Sequence, residues 1–166
     1  YEVIGCTFEG NTVTTSHATT KRFASAIFCD GCTVSGNVFS GNTAIRNGEN
    51  VSTVVAAAAY YGAADISGNF WGGNAPVPGV DYTVEYTRNE VAVEDYYTDA
   101  ELTNKVAIDY VAKVGKYSYT SLADAIAAAQ DGDTIEILAG TLSEGTIKLP
   151  MALNNVTFKG AADHAT

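Results

Sequence analysis

Acidic side chains are the residues of this chain with the clearest potential for chemistry. Clustered Asp and Glu residues bind Ca²⁺, because a hard cation prefers several oxygen ligands, and two carboxylates about 5 to 10 Å apart can hydrolyse a glycosidic bond. The candidates in the first half are Glu9, Asp30 and Asp65, accompanied by Arg46. Their separation in sequence favours a solvated face, although Asp30 and Asp65 fall at nearly equivalent places in an internal repeat. We predict no catalytic, cofactor-binding or metal site.

The segment Asp131-Gly-Asp133 and the two histidines are weaker candidates. The segment lacks the remaining ligands of a calcium loop and is typical of a turn. His17 lies in the Thr- and Ser-rich segment 12–20, and His164 lies near the end of the sequence. Neither histidine has a recognisable partner, so we expect both to be exposed.

The pair Cys29-x-x-Cys32 permits three interpretations. It is half of a structural zinc site or a redox motif, it is a local disulfide, or it marks small buried positions. The internal repeat aligns Cys32 with Ala64 and Cys6 with Asn37, which favours small buried or stacked positions. A Cys29–Cys32 disulfide is the next alternative, and zinc or redox chemistry is the least favoured.

Tyrosines are the better indication of binding. Flat aromatic rings beside Asn and Asp suit sugar stacking and hydroxyl hydrogen bonds, and the candidates for glycan contact are Tyr60, Tyr61, Tyr82 and Tyr86. The alternative, which we favour, is that these rings pack against the last coil of the repeat and keep their hydroxyls in water.

Charge and hydropathy exclude two classes of partner. Nineteen acidic against nine basic residues give a net charge of −10, and Lys21-Arg22 is the only adjacent basic pair, so we predict no nucleic-acid binding. No apolar run approaches the roughly 20 residues that span a bilayer, so we predict no membrane insertion. The sequence opens at Tyr1 without a signal segment, which is typical of a piece excised from a longer polypeptide.

An internal repeat must position these residues. Related nine-residue segments occur at 3–11, 34–42 and 66–74, at spacings of 31 and 32 residues, and the match extends upstream when 23–34 is placed over 55–66 without a gap. Short β-branched and aromatic stretches separated by Gly-Asn predict strands and turns. A unit of this size cannot bury its own apolar face, so the copies must stack as a solenoid. Asn37 and Asn69 are then either an amide ladder between coils or left-handed turn residues.

The segments Val34-Ser-Gly-Asn-Val-Phe-Ser-Gly-Asn42 and Ile66-Ser-Gly-Asn-Phe-Trp-Gly-Gly-Asn74 resemble the parallel β-helix repeat of pectate-lyase-like proteins over about residues 1–75. The resemblance implies an all-β fold, a right-handed parallel β-helix of three short sheets, in proteins of the bacterial surface or secreted type. That family includes polysaccharide lyases, hydrolases, tailspikes and adhesins, so fold does not settle function.

The second half predicts the end of one β-helix and the start of another. We assign residues 1–79 to C-terminal rungs and 80–110 to a Tyr-rich terminator and connector. Residues 111–166 resemble the N-terminal cap and first rungs of the same family. In the cap, Ser121 begins a short helix whose apolar face consists of Leu122, Ala125, Ile126 and Ala129, and Gly132 follows its end. Strands are predicted at 134–138, 145–149 and 155–158.

These observations favour a non-catalytic extracellular or cell-surface module, a structural stalk or adhesin-like element. The alternative is a fragment of a polysaccharide-binding or polysaccharide-degrading enzyme. Read as 111–166 followed by 1–90, the segments would form a complete β-helix, so we expect residues 134–160 to stack on residues 1–11. The pairing would join successive chains head to tail into filaments or would close within one chain.

Overall fold

A computed structural model describes residues 1–17, 23–51, 53–138 and 145–160, with only the backbone described at 85–87. The chain divides into two compact units, Tyr1–Ile108 and Asp109–Thr166. Unit 1 is a β-solenoid of about three turns, and unit 2 combines a small sheet with the one α-helix of the described residues. The predicted fold class, an all-β solenoid of stacked parallel coils with one short helix, is confirmed.

The strands of unit 1 follow one another in four successive levels. The first level contains Glu2–Ile4 (β1), Thr7–Glu9 (β2) and Thr12–Thr15 (β3). The second contains Ile27–Asp30 (β4), Thr33–Ser35 (β5), Val38–Ser40 (β6), Thr43–Arg46 (β7) and Glu49–Asn50 (β8). The third contains Val55–Ala59 (β9), Ala64–Asp65 (β10) and Asn69–Phe70 (β11). The fourth contains Tyr82–Thr87 (β12), Val91–Ala92 (β13) and Asp95–Tyr97 (β14), and Lys105–Ala107 (β15) follows.

Equivalent strands pair in parallel and form four sheets where the resemblance implied three. Their orders are β1-β5-β10-β13, β2-β6-β11-β14-β15, β4-β9-β12 and β3-β7-β8. Only β8 and β15 pair antiparallel to a neighbour, β8 with β7 and β15 with β14, among the described strands of this unit. Val3 faces Val34 and Phe8 faces Phe39. Residues that are 31 apart in the repeat are therefore paired between the first two levels.

The extension of the repeat upstream without a gap is wrong. Asp30 pairs with Ala58, a spacing of 28, whereas Thr33 pairs with Asp65, a spacing of 32. Between these two strands lies a corner of the coil, and the third level has four more residues there than the second. Tyr60 and Tyr61 lie in this longer corner. A loop absorbs added residues at little cost, whereas a strand cannot, which is why the match resumes at Thr33.

Inward side chains form a continuous core along the axis of unit 1. Val34, Val55 and Ile66 are fully buried, and Cys29 is nearly so. Along β4 the burial alternates, with Ile27 and Cys29 inside and Phe28 outside. This period of two follows from the pleat of a strand, which directs successive side chains to opposite faces.

An asparagine ladder connects the levels at the bend between the β5 and β6 positions. Asn37 and Asn69 are completely buried. Asn37 donates from Nδ2 to Oδ1 of Asn69 at 3.0 Å, and its backbone N–H donates to the same oxygen at 3.0 Å. The backbone N–H of Cys6 donates to Oδ1 of Asn37 at 2.9 Å and extends the series by one level. The ladder is therefore the correct alternative.

At this bend the glycine before each asparagine, and not the asparagine itself, has the left-handed conformation. Gly36 and Gly68 each have φ +65°, and neither Asn37 nor Asn69 has a positive φ. Glycine has no Cβ to oppose this conformation, whereas other residues rarely adopt it. Gly68 has a second constraint, because a Cβ there would lie 3.0 Å from the Ser35 hydroxyl of the neighbouring level.

The parallel coils do not stop at Gly79. β12, β13 and β14 pair in parallel with β9, β10 and β11, so a further level occupies much of the segment assigned to a terminator. Ala64 faces Val91 and Asn69 faces Tyr96, a spacing of 27 residues. The repeat is invisible here because the spacing shortens and no Gly-Asn marks the bend. The antiparallel strand β15 then covers the edge of β14.

Unit 2 contains a hairpin, a helix and a pair of parallel strands. Its elements are Ala112–Val114 (β16), Tyr117–Tyr119 (β17), Leu122–Ala128 (α1), Thr134–Ile137 (β18) and Thr157–Gly160 (β19). β16 pairs antiparallel with β17 and β18, and β18 pairs in parallel with β19. Ser121 begins the helix as predicted, since its Oγ accepts from the Asp124 N–H at 3.0 Å.

The predicted strand at 145–149 does not form. Both edges of β18 are occupied, one by β16 and the other by β19. Ile147 instead packs against the core of the unit. The strands predicted at 134–138 and 155–158 are confirmed within a few residues.

The buried ladder should dominate the stability of unit 1. Asn69→Ala removes a side chain whose Nδ2 donates to the carbonyls of Val34 and Ile66 at 2.6 and 2.8 Å and whose Oδ1 accepts two bonds. We expect the free energy of unfolding to fall by about 2 to 4 kcal/mol, because the partners remain buried and unsatisfied. The matched control is Asn11→Ala, an exposed amide bonded to Asn42, which should cost less than about 1 kcal/mol. Equal losses in denaturant titrations of the two variants would contradict this account.

The helix of unit 2 should depend on Ile126. This side chain is 3% exposed within a core of Ala112, Val114, Leu122 and Ile135. Ile126→Asp would bury an unpaired charge and should destabilise the unit by several kcal/mol. Hydrogen exchange over residues 112–137 should accelerate strongly in this variant and little in Ala127→Asp, whose site on the same helix is exposed. Unchanged protection in Ile126→Asp would show that the helix does not hold this sheet.

Candidate functional site

Tyr60 and Tyr61 lie together at the long corner between β9 and β10. Their rings meet edge to face with centroids 4.9 Å apart. The Asp30 carboxylate of the preceding level holds the corner, because its Oδ1 accepts from the backbone N–H of Tyr60 at 3.0 Å and of Tyr61 at 3.4 Å. Tyr61 is 83% exposed, and its ring is the flat surface that this corner offers.

Tyr60 is less available than its neighbour. The Arg88 guanidinium lies 4.1 Å from the centroid of its ring, a cation–π contact that covers one face. The ring is 38% exposed. Tyr61 is therefore the more available stacking surface.

Of the other two candidate tyrosines, Tyr82 is not brought to this corner. Tyr82 is 2% exposed and pairs with Val55 on the inward register, so its ring belongs to the core and offers no face to a glycan. Tyr86 lies in β12, and its side chain is outside the described residues. Burial of Tyr82 removes it from the group of candidates, and the hypothesis for Tyr86 stays a prediction.

Two of the predicted outward acids, Asp30 and Asp65, bind backbone amides. Asp30 holds the tyrosine corner, and Asp65 accepts from the Ser67 N–H at 2.8 Å. Glu9 is exposed, and the Arg46 guanidinium lies 5.3 Å from the ring centroid of Phe23. Among the described residues, no three His, Cys, Asp or Glu side chains are grouped to hold a metal ion.

Cys29 and Cys32 form a disulfide, the interpretation ranked second from the sequence. Both residues are also buried, as expected of small core positions. The turn at Gly31, with φ +60°, brings their Cα atoms to 5.8 Å, within the range of about 4.4 to 6.8 Å that a disulfide requires. Sequence spacing alone could not show this approach. Cys6 is exposed and is a free thiol.

The segment Asp131-Gly-Asp133 is a turn, as predicted. Asp133 accepts from the Gln130 N–H at 2.8 Å, and Asp131 accepts from the Asn154 N–H at 2.7 Å. His17 is exposed, in agreement with the prediction, and His164 lies outside the described residues.

A cavity in unit 1 has no counterpart in the sequence predictions. Its volume is about 240 Å³, and its lining consists of Phe39, Ser40, Gly41, Asn42, Val54, Phe70, Trp71, Gly72 and Asp81. The cavity lies where the third level departs from the second. After Gly41-Asn42 the chain forms β7, but after Gly72-Gly73 it forms no strand until β12.

Trp71 and Asp81 are two of the residues that line this cavity. Trp71 stacks on Phe39 with centroids 4.7 Å apart, and its Nε1 is buried without a hydrogen-bond partner among the described residues. Asp81 accepts from the Val77 N–H through Oδ2 at 2.7 Å. Burial raises the pKa of the Asp81 carboxyl, and the Val77 hydrogen bond lowers it by a smaller amount.

One sequence signal could have located the cavity. The repeat places Trp71 where Phe8 and Phe39 stand, and it is followed by two glycines and then by Pro76 and Pro78. An indole at a repeated Phe position adds a donor that the stack cannot satisfy. Asp81 carries no such signal, because it lies seven residues beyond the repeat.

No family model matches the chain, and no curated protein or solved structure matches it either. The described residues include no helix with the length and apolar character needed to cross a membrane.

Asp81 should make the folded chain less stable as pH rises, which is the opposite of the usual effect of a carboxyl group. Its folded pKa is raised above the unfolded value, so the folded state binds the proton more tightly and stability is lost as pH rises through the interval between the two. Asp81→Asn keeps an acceptor for Val77 and removes the desolvated charge. We expect its melting temperature to exceed that of the wild type at neutral pH and the difference to disappear in acid. A difference that grows on acidification would contradict the assignment.

Proposed function

We propose that this chain is a non-catalytic β-solenoid module, a structural stalk or adhesin-like element of a secreted or cell-surface protein. The observation that carries the proposal is the presence of two side-chain stacks along the axis of unit 1. One is the buried ladder of Asn37 and Asn69, and the other consists of Phe8, Phe39 and Trp71, with centroid distances of 5.4 and 4.7 Å.

Both stacks support a role as a stiff rod. Their contacts join neighbouring levels, and the parallel backbone pairs join the same levels. In a repeat scaffold, nearest-neighbour interfaces of this kind contribute most of the stability. Bending or separating two levels would require several buried contacts to break together.

Two observations support a secreted or surface location and a relationship to pectate-lyase-like proteins of the bacterial surface or secreted type. The Cys29–Cys32 disulfide is typical of proteins that fold in an oxidising compartment. The Gly-Asn bends that carry the resemblance to pectate-lyase-like β-helices are the bends that position the buried ladder. The exposed ring of Tyr61 supports glycan contact as a secondary role of such a module.

The first level supports end-to-end association with a second copy. β1, β2 and β3 are terminal strands of their sheets among the described residues. Their inward side chains Val3 and Phe8 are half-buried, whereas the equivalent Val34 and Phe39 are buried. The occupant we propose is the segment 134–160 of the second copy. All four residues of its terminal strand β19 are exposed, with Phe158 at 42%. One edge of β19 pairs in parallel with β18, and its other edge is unpaired among the described residues.

Association should depend on the inward face of the first level. Light scattering of the wild type over a micromolar dilution series should show a mean mass that rises with concentration. Val3→Lys places a charge at the proposed interface and should return the chain to the monomer mass, because an inward-pointing Lys opposes strand addition. The matched control, Ile4→Lys, changes the adjacent side chain, which is already 56% exposed, and should leave association unchanged.

Three results would contradict the proposal. A monodisperse wild-type monomer at tens of micromolar, with no crosslinks between 134–160 and 1–11 of different copies, would exclude end-to-end association. Equal effects of Val3→Lys and Ile4→Lys would exclude the proposed face. New unsaturated uronates or reducing ends on a panel of acidic polysaccharides, abolished by changing one carboxylate, would show an enzyme instead of a scaffold.

A further inference from the structure

We propose that strand β19 of one copy pairs in parallel with strand β2 of the next copy, in the register that sets Phe158 beside Phe8 and Lys159 beside Glu9. This pairing rests on the end-to-end association of the proposed function, which leaves open which strand of the first level meets the second copy. β2 and β19 are each a terminal strand of their sheet among the described residues, so each has an edge to offer.

The residues around β19 repeat the pattern around β2. Asn155-Val-Thr-Phe-Lys-Gly160 matches Gly5-Cys-Thr-Phe-Glu-Gly10 at the Thr, the Phe and the final Gly. The backbone agrees with this match, because Asn155 has φ +58° and Gly5 has φ +67°, and each strand begins two residues later. Within unit 1, the copy of this pattern at 36–41 contains β6, which pairs with β2 in register. Strand β19 therefore has the local sequence and the bend of a partner of β2.

Phe158 extends the aromatic stack of unit 1 in this register. It pairs with Ile135, which is completely buried in the core of unit 2, and paired residues lie on the same face of a sheet, so its ring is on the core side. The side chain is nevertheless 42% exposed. Phe8 is half-buried and stacks on Phe39 with centroids 5.4 Å apart. Pairing β19 with β2 covers both partly exposed rings and places Phe158 next in the series of Phe8, Phe39 and Trp71.

Lys159 and Glu9 form the charge pair of the proposed register. Each follows its ring by one residue, so both point to the other face of the sheet, and both are exposed. In unit 2 Lys159 pairs with Glu136 of β18, and in the proposed register its other neighbour is Glu9. Opposite charges at paired positions of adjacent strands stabilise the pairing, whereas like charges destabilise it. A lysine between two carboxylates also offsets part of the repulsion between copies that each carry a net charge of −10.

The other two described strands of the first level offer neither a ring nor an acid at these positions. β1 has the aliphatic residues Val3 and Ile4 where the ring and the lysine of β19 would lie, and β3 contains only Thr and Val. β1 is nevertheless the rival, because the pattern Gly-x-Thr-x-x-Gly also surrounds its partner β5, at 31–36. A slip of one residue along β2 would turn the ring of Phe158 to the outer face. Aromatic and charge complementarity therefore select β2 and this register.

Charge reversal tests the register, because each variant can be compared alone and in mixture. Glu9→Lys sets lysine against lysine, and Lys159→Glu sets glutamate against glutamate. In sedimentation velocity of the full chain at low ionic strength, we expect each variant alone to associate at least about fivefold more weakly than the wild type. An equimolar mixture should recover most of the wild-type affinity, because each variant supplies the charge that the other lacks. The differences should shrink in about 1 M salt, which screens exposed charges.

Glu2→Lys is the matched control for charge reversal. It makes the same change of charge at an exposed position of β1, outside the proposed pair, and should weaken association by less than about twofold. Glu9 and Lys159 are exposed as well, so all three variants should remain folded, which circular dichroism checks.

A crosslink identifies the strand independently of charge. In a Cys6→Ser background, an equimolar mixture of Thr7→Cys and Thr157→Cys chains should form a mixed disulfide dimer on oxidation with diamide, because positions 7 and 157 are paired in the proposed register. Glu2→Cys takes the place of Thr7→Cys in the control mixture, since β1 would set position 2 opposite position 157. The control mixture should form little mixed dimer.

The possible failures separate this pairing from the proposed function. A wild-type chain that does not associate would contradict both. Association that is unchanged in Glu9→Lys and Lys159→Glu would overturn the pairing alone, as would a mixture that associates no better than its components. Mixed dimers that form with Glu2→Cys in preference to Thr7→Cys would move β19 to β1. In these last three cases end-to-end association still stands.

Discussion

The amide of a buried asparagine between two coils is the interaction on which unit 1 depends. Asn37 and Asn69 are fully enclosed, so every polar atom of these side chains must find a partner inside the protein. Each amide meets this requirement by bonding to carbonyls of its own bend and of the neighbouring level, and the two amides bond to each other. A shift of one residue would leave these groups unpaired, so the ladder fixes the register of the sheets.

A fixed register determines where variation is tolerated. Between Asp30 and Thr33 the chain turns in two residues, but between Ala58 and Asp65 it takes six, and the extra length carries Tyr60 and Tyr61 outward. Beyond Trp71 the chain leaves the sheets and returns only at β12, and the cavity with Asp81 lies at this departure. Both candidate surfaces are therefore places where a level is longer or more open than its neighbour.

The repeated residues made the fold predictable, and the unrepeated ones did not. Val34 with Ile66 and Gly36 with Gly68 recur in register, because stacking imposes the same environment at each level. The level at 82–97 was missed because Asp95 and Tyr96 stand where the third level has Gly68 and Asn69, although the backbone pairing there is the same. Tyr82 was a candidate for glycan contact, with packing against the last coil as the favoured alternative, and its pairing with Val55 and its burial agree with packing. The cavity depends on a loop conformation and on the burial of Trp71, neither of which a sequence pattern specifies.

The most direct test of the ladder is the exchange of side-chain amide protons in the wild-type chain. Nuclear magnetic resonance can measure the Nδ2 protons of each asparagine separately. The structure predicts that those of Asn37 and Asn69 exchange as slowly as the backbone amides of Val55 and Ile66, with cross-relaxation between the two side chains, while those of the exposed Asn74 exchange at the rate of free amides. Rapid exchange at Asn37 and Asn69 would contradict the account, because a solvated amide could not hold the register of the coils.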